Sequence, residues 1–193
     1  MKGVKNMNWI NSIKEYRPYN NQERKDKGVI LKCLDMFDDV LTRDNEVAHI
    51  TSSGFVVNKA RDKVLMIYHN IFDSWSWTGG HADGESDLLQ VAIKEANEET
   101  GIKKINPISQ DIISLDIFPV LAHIKNGNYV SSHLHLSVAY LIEADENEEL
   151  IIKADENSDV KWIAIDEVER YSNEPHMIGV YKKIISKIEK QSL

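Results

Sequence analysis

An α/β sandwich carrying an N-terminal helical extension is the fold class that this 193-residue sequence predicts, and three observations lead to it. From Ala48 onward, runs rich in β-branched and aromatic residues alternate with stretches of helical apolar spacing. Before that point the apolar residues keep helical spacing only. Hydrophobic residues make up 42% of the chain against 28% charged, enough apolar side chain for one sizeable core. Residues 1–45 read as the extension and residues 46–193 as the sandwich domain, with a mixed sheet between helical layers.

The elements follow in order. Trp9, Ile10, Ile13 and Tyr16 fit a short amphipathic helix that stops before Pro18. Ile30, Leu34, Phe37 and Leu41, flanked by Val29, Cys33 and Val40, mark a second and stronger helical stripe. That stripe must be covered, by the sandwich or by a second subunit, so the extension is expected to pack on the sandwich and to contribute a homodimer contact or a pocket wall. Residues 49–58 and 63–69 are strands separated by a turn at 59–62. Helical spacing returns at 87–100, strands resume at 111–122, 129–144 and 160–165, and an amphipathic helix closes the chain at about 175–190.

Charge and cysteine usage exclude several functions. Lys plus Arg total 23 against 31 for Asp plus Glu, a net charge of −8, which argues against binding nucleic-acid polymers or anionic membranes. Phosphates remain possible ligands if a metal or a local basic cluster supplies positive charge. The single cysteine, Cys33, rules out an internal disulfide and a Cys-rich zinc module. No apolar run approaches the ~20 residues of a membrane span, and the first residues lack the apolar core of a signal peptide. The expectation is a soluble, cytoplasmic protein.

Chemistry concentrates at residues 79–102, GGHADGESDLLQVAIKEANEETGI. Ser86 or Asp87 suits a helix N-cap and Gly101 suits the position after its C-terminus. Leu88, Leu89, Ala92 and Ala96 form an apolar arc, and Glu95, Glu98 and Glu99 project along its edge at i, i+3, i+4. If partly buried, each close carboxylate pair repels by roughly 3 kcal/mol at ~6 Å and an effective dielectric of ~20. A divalent cation that favours oxygen ligands, such as Mg²⁺, relieves that repulsion. The plainer alternative is a solvated acidic helix end.

This segment resembles the signature of the Nudix hydrolases, Gly-x5-Glu-x7-Arg-Glu-U-x-Glu-Glu-x-Gly-U with U a bulky apolar residue. Gly80 opens the match and Ile102 closes it, with Glu95, Glu98, Glu99 and Gly101 in register. Ala96 is smaller than usual, Ser86 stands where the first glutamate belongs with Glu85 one residue early, and Lys94 stands at the arginine. Trp75 resembles the aromatic residue often found before the box, and Thr78 replaces a proline. The resemblance covers roughly residues 48–190 and implies the Nudix α/β/α sandwich. It further implies a hydrolase of a small-molecule diphosphate, most readily a nucleoside derivative, with Mg²⁺ or Mn²⁺ as cofactor. By the same resemblance Glu95 and Glu99 are the principal metal ligands, Glu98 a ligand or a base, and the Gly80 carbonyl a further ligand. Lys94 holds a glutamate in place of the arginine, without its bidentate fork. Glu85 or Asp83 is a substitute for the missing first carboxylate.

Other residues admit two readings each. His81, just after the double glycine, is placed to contact substrate phosphate. His133 and His135 share one strand face and either line a pocket, bind a metal, or simply face outward. Trp75 and Trp77 either stack a base or fill core. The acidic run 145–149 either lends a carboxylate or forms a turn. Two other functions compete: a Nudix-fold isopentenyl-diphosphate isomerase, which needs a cysteine that only Cys33 supplies, and a non-catalytic nucleotide-sensing module, which the intact glutamates disfavour.

Overall fold

A computed structural model describes residues 8–125 and 127–191, so the first seven residues of the extension lie outside the described part. Two helices open the described part, α1 (Asn8–Glu15) and α2 (Asn21–Met36). Pro18 follows α1, and Asn20 caps α2 by accepting a hydrogen bond from the Glu23 amide. The second stripe is only partly helical. The chain turns extended at Phe37, so Val40 and Leu41 reach the core from a turn, and Val29 is exposed.

Among the described residues nine strands follow: β1 (Ala48–Val57), β2 (Lys63–His69), β3 (Ser74–Ser76), β4 (Thr78–His81), β5 (Ile105–Val120), β6 (His123–Lys125), β7 (Asn128–Val130), β8 (His133–Ala144) and β9 (Asn157–Ala164). Helix α3 (Leu88–Thr100) lies between β4 and β5, while the short α4 (Val168–Tyr171) and the long α5 (Pro175–Gln191) end the chain. Seven strands form one mixed sheet in the order β3-β2-β1-β8-β5, with β4 also on β1 and β9 on β2. The β1–β8 pairing is parallel, and the other pairings are antiparallel. The run expected as one strand at 129–144 is broken after Val130, because β7 turns back on β6 as a separate hairpin. Strand β5 starts earlier than its apolar residues suggest, and its register shifts between Pro107 and Ile112, where proline cannot donate to the ladder.

Strand β1 is buried throughout, and its alternation builds two cores. Ile50 and Val56 face Leu88, Ala92, Leu115 and Leu136 on the α3 side, joined there by Ile13 and Ile30 of the extension. Phe55 and Val57 face Trp75, Trp77, Tyr181 and Ile184 on the α5 side. These are the two helical layers of an α/β/α sandwich, and both tryptophans serve as core.

The extension is fastened by charge as well as by apolar contact. Glu23 of α2 is fully buried and receives Lys187 Nζ at 2.6 Å and Lys183 Nζ at 3.2 Å, both from α5. The Tyr16 hydroxyl donates to it at 2.7 Å and the Ser114 hydroxyl at 3.2 Å, while Lys183 also pairs with Asp116 of β5 at 2.5 Å. Burial opposes the Glu23 charge, yet the bonds from Lys187, the Tyr19 amide and Tyr16 hold its pKa below the ordinary carboxylate value.

Candidate active site

The loop after β4 delivers α3 to the sheet. Asp87 caps the helix by accepting from the Gln90 amide, and Gly101 closes it in the left-handed region at φ 76°. The double glycine before the loop is demanded by contact. A Cβ on Gly79 would sit 2.8 Å from the Ser53 backbone, and one on Gly80 would sit 2.6 Å from the Glu95 carboxyl carbon. Strand β4 therefore lies flush against β1 on one side and against the α3 carboxylates on the other.

Glu95, Glu98 and Glu99 do share an edge, but burial differentiates them. Glu99 is only 3% exposed, and the Gly79 amide donates to its Oε2 at 3.0 Å. Desolvation pushes its pKa up to about 8, against that bond and with repulsion from Glu95 and Glu156 adding to it. Glu95 is half-buried and its pKa is raised, first by burial and then by its acidic neighbours against Lys94 and Lys153. Glu98 is the outermost and lies between two lysines, Lys94 at 3.6 Å and Lys153 at 3.7 Å. Lys94 also reaches Glu95 at 3.9 Å, so it spans two of the three carboxylates from an exposed position.

The loop carboxylates are engaged elsewhere. Asp83 forms a two-pronged pair with Arg43 at 2.8 and 2.6 Å. Glu85 Oε1 accepts from the Ser86 and Asp87 amides, bracing the start of α3. In the acidic run, Glu146 pairs with Lys63 and Glu148 accepts from the Lys103 and Lys104 amides, so the run is a structural turn. The carboxylate that does approach the α3 edge is Glu156, held by Lys153 at 3.0 Å. Its neighbour Asn157 is fully buried and donates to the Glu99 carbonyl at 2.9 Å. Neither residue carries a local signal in the sequence, because each reaches α3 only through the tertiary placement of the start of β9 and the turn before it.

His81 is drawn into a cluster of four imidazoles. Parallel pairing sets His49 of β1 directly across from His135 of β8, and β4 brings His81 opposite Thr51. His81 Nε2 lies 3.3 Å from His135 Nε2, and His133 Nε2 lies 3.3 Å from the same atom. Burial, reinforced by His81, His49, His133 and His123, pushes the His135 pKa down to about 2. Cys33, by contrast, sits half-buried on α2 against the first core, with burial raising its pKa.

The three carboxylates and the glycine pair packed against them lie within the span of a known domain family. The NUDIX domain family model matches residues 48–184. This chain belongs to the Nudix family. As a Nudix hydrolase it acts on pyrophosphate bonds. Solved hydrolase structures share the fold at low identity. A C. elegans Ap4A hydrolase binary complex is 17% identical, with 73% of this chain and 98% of that chain covered at a TM-score of 0.53. The E. coli dihydroneopterin triphosphate pyrophosphohydrolase is 12% identical, with 72% and 92% covered at 0.55. A NUDIX-family hydrolase from Clostridium perfringens is 21% identical, with 72% and 97% covered at 0.50. Among curated proteins no match is found. Among the described residues no helix is long and apolar enough to cross a membrane.

Proposed function

We propose that this Nudix hydrolase cleaves a diphosphate bond in a nucleoside diphosphate derivative or a related small molecule, with Mg²⁺ or Mn²⁺ bound at the α3 edge. One observation carries the reading: Glu99 and Glu95, one turn apart, are held in partly desolvated positions where their charge is disfavoured without a cation. The donor set suits a hard ion, since every candidate ligand is oxygen: Glu95, Glu99, Glu98 and the Gly80 carbonyl. Such an ion, when bound, offsets charge on the diphosphate and lowers the pKa of water.

The protein's own groups do the rest. The Gly79 amide holds Glu99 in one orientation. The Gly80 backbone, packed on Glu95, fixes the second carboxylate. Glu98, the most exposed of the three, is placed to accept a proton from attacking water. Lys94 and Lys153 position Glu98 and limit the net negative charge that a phosphate substrate meets.

The test is a product-release screen with and without Mg²⁺. The panel comprises nucleoside triphosphates, ADP-ribose, sugar nucleotides, dinucleoside polyphosphates and a pterin triphosphate, the last two because similar folds include an Ap4A hydrolase and a dihydroneopterin triphosphate pyrophosphohydrolase. Turnover of at least one substrate, lost in excess chelator and restored by Mg²⁺ or Mn²⁺, is expected. Full turnover in chelator overturns the reading.

A further inference from the structure

The four histidines stand apart from the carboxylates in chemistry. We propose that His49, His81 and His135 bind a divalent transition-metal ion of the Zn²⁺ class, with His133 supplying a fourth ligand. One ring nitrogen from each of the first three lies within 4.8 Å of the others, and three strands contribute them: β1, β4 and β8. A tetrahedral ion with Zn–N bonds of ~2.0–2.1 Å holds its ligand nitrogens ~3.3 Å apart. The His81–His135 and His133–His135 Nε2 pairs are each at 3.3 Å.

The protonation pattern argues the same way. His49 Nδ1 faces the Asn45 carbonyl at 3.1 Å, and His133 Nδ1 faces the Ser131 carbonyl at 2.8 Å. A carbonyl oxygen only accepts, so in both rings Nδ1 carries the proton and Nε2 presents its lone pair. Metal-binding histidines are commonly fixed through their outer nitrogen in this way. His49 is 4% exposed, and its Nε2 has no hydrogen-bond partner among the described residues. A buried orphan of this kind is costly unless something occupies its lone pair. The middle of the row has a related conflict. His135 Nε2 meets two neighbouring nitrogens, and no single proton provides a linear bond to both. An ion at the centre of the rings removes both difficulties.

The donor set also selects the ion. Neutral imidazoles suit Zn²⁺, Co²⁺, Ni²⁺ or Cu²⁺, whereas Mg²⁺ prefers oxygen. The site is therefore distinct in chemistry from the α3 edge, although only one residue separates His81 from the box glutamates' partner Gly79. This assignment gives His81 to the ion in place of the phosphate contact that its position in the sequence suggests. It does not rest on the hydrolase reading.

The experiment uses untagged protein purified without chelator. Elemental analysis is expected to find about one equivalent of transition metal, and Co²⁺ added to the metal-free protein is expected to give the intense visible bands of tetrahedral coordination. Millimolar Mg²⁺ does not displace it. His81→Gln and His135→Gln each weaken Co²⁺ binding by ~10²-fold or more, beyond what loss of a mere supporting contact costs. His81 lies at the margin of the cluster, so its variant keeps the test decisive if His135→Gln does not fold. Glu99→Gln binds Co²⁺ as the parent does, which separates this site from the hydrolase site. Sub-stoichiometric metal, octahedral Co²⁺ spectra, displacement by Mg²⁺, or unchanged affinity in folded His81→Gln overturns the proposal.

Discussion

Replacing Glu99 by Gln is expected to stabilise the metal-free protein at neutral pH while abolishing its use of Mg²⁺. The carboxyl is 3% exposed and titrates at about 8 in the fold, against 4.5 in its ordinary state. A raised acid pKa means that its stabilising contribution is complete below pH 4.5 and drains away as pH climbs through 8, because the unfolded chain releases the proton first. At pH 7 the loss amounts to roughly 3 kcal/mol, and above pH 8 to about 5 kcal/mol. Gln keeps the shape and can still accept from the Gly79 amide, but it does not titrate. The assay is thermal melting of both proteins in chelator from pH 5 to pH 9. The difference in Tm should be small at pH 5 and reach roughly 6–12 °C in favour of Gln at pH 7. Adding Mg²⁺ should raise the Tm of the parent only, with an apparent affinity that grows about tenfold per pH unit up to 8, since the ion displaces a proton. A difference in Tm that is independent of pH, or a Gln variant that melts below the parent at pH 8 in chelator, would refute this account.

Three further outcomes are expected. Gly80→Ala meets the movable end of Glu95 and should cut kcat by ~10²-fold with a small change in Tm, whereas Gly79→Ala meets the Ser53 backbone and should lower Tm sharply; calorimetry beside kinetics separates the two. Glu23→Gln leaves Lys187 and Lys183 under-compensated in the interior and should cost about 3–5 kcal/mol by urea titration at pH 7. Because the Glu23 pKa is depressed, that contribution exists above the unfolded carboxylate pKa and fades as pH falls, so the gap between parent and variant should narrow in acid. Lys94→Ala, removing an exposed partner at 3.6–3.9 Å, should reduce kcat/KM by no more than about tenfold, and equality with Glu99→Gln would assign it a larger role.

What the sequence alone determined is local. The caps at Asp87 and Gly101, the i, i+3, i+4 row of glutamates and the β-rich run that forms β1 are all legible because helix and strand preferences act over a few residues. So too is the resemblance carried by residues 80–102, since that motif is one loop and one helix. The tertiary structure decided which of those glutamates loses its solvent: burial pushes the Glu99 pKa up to about 8, against the bond from the Gly79 amide. It also decided that the extension is pinned by Glu23 to Lys187, 164 residues away, and that Glu85 and Asp83 serve the loop rather than the acidic edge. His49 carries no signal in its own neighbourhood, and it meets His135 only because β1 and β8 pair in parallel at one register. A slip of one residue in that pairing would turn the imidazoles to opposite faces. Contacts set by strand order and register are energies of the whole sheet, and no short window of sequence contains them.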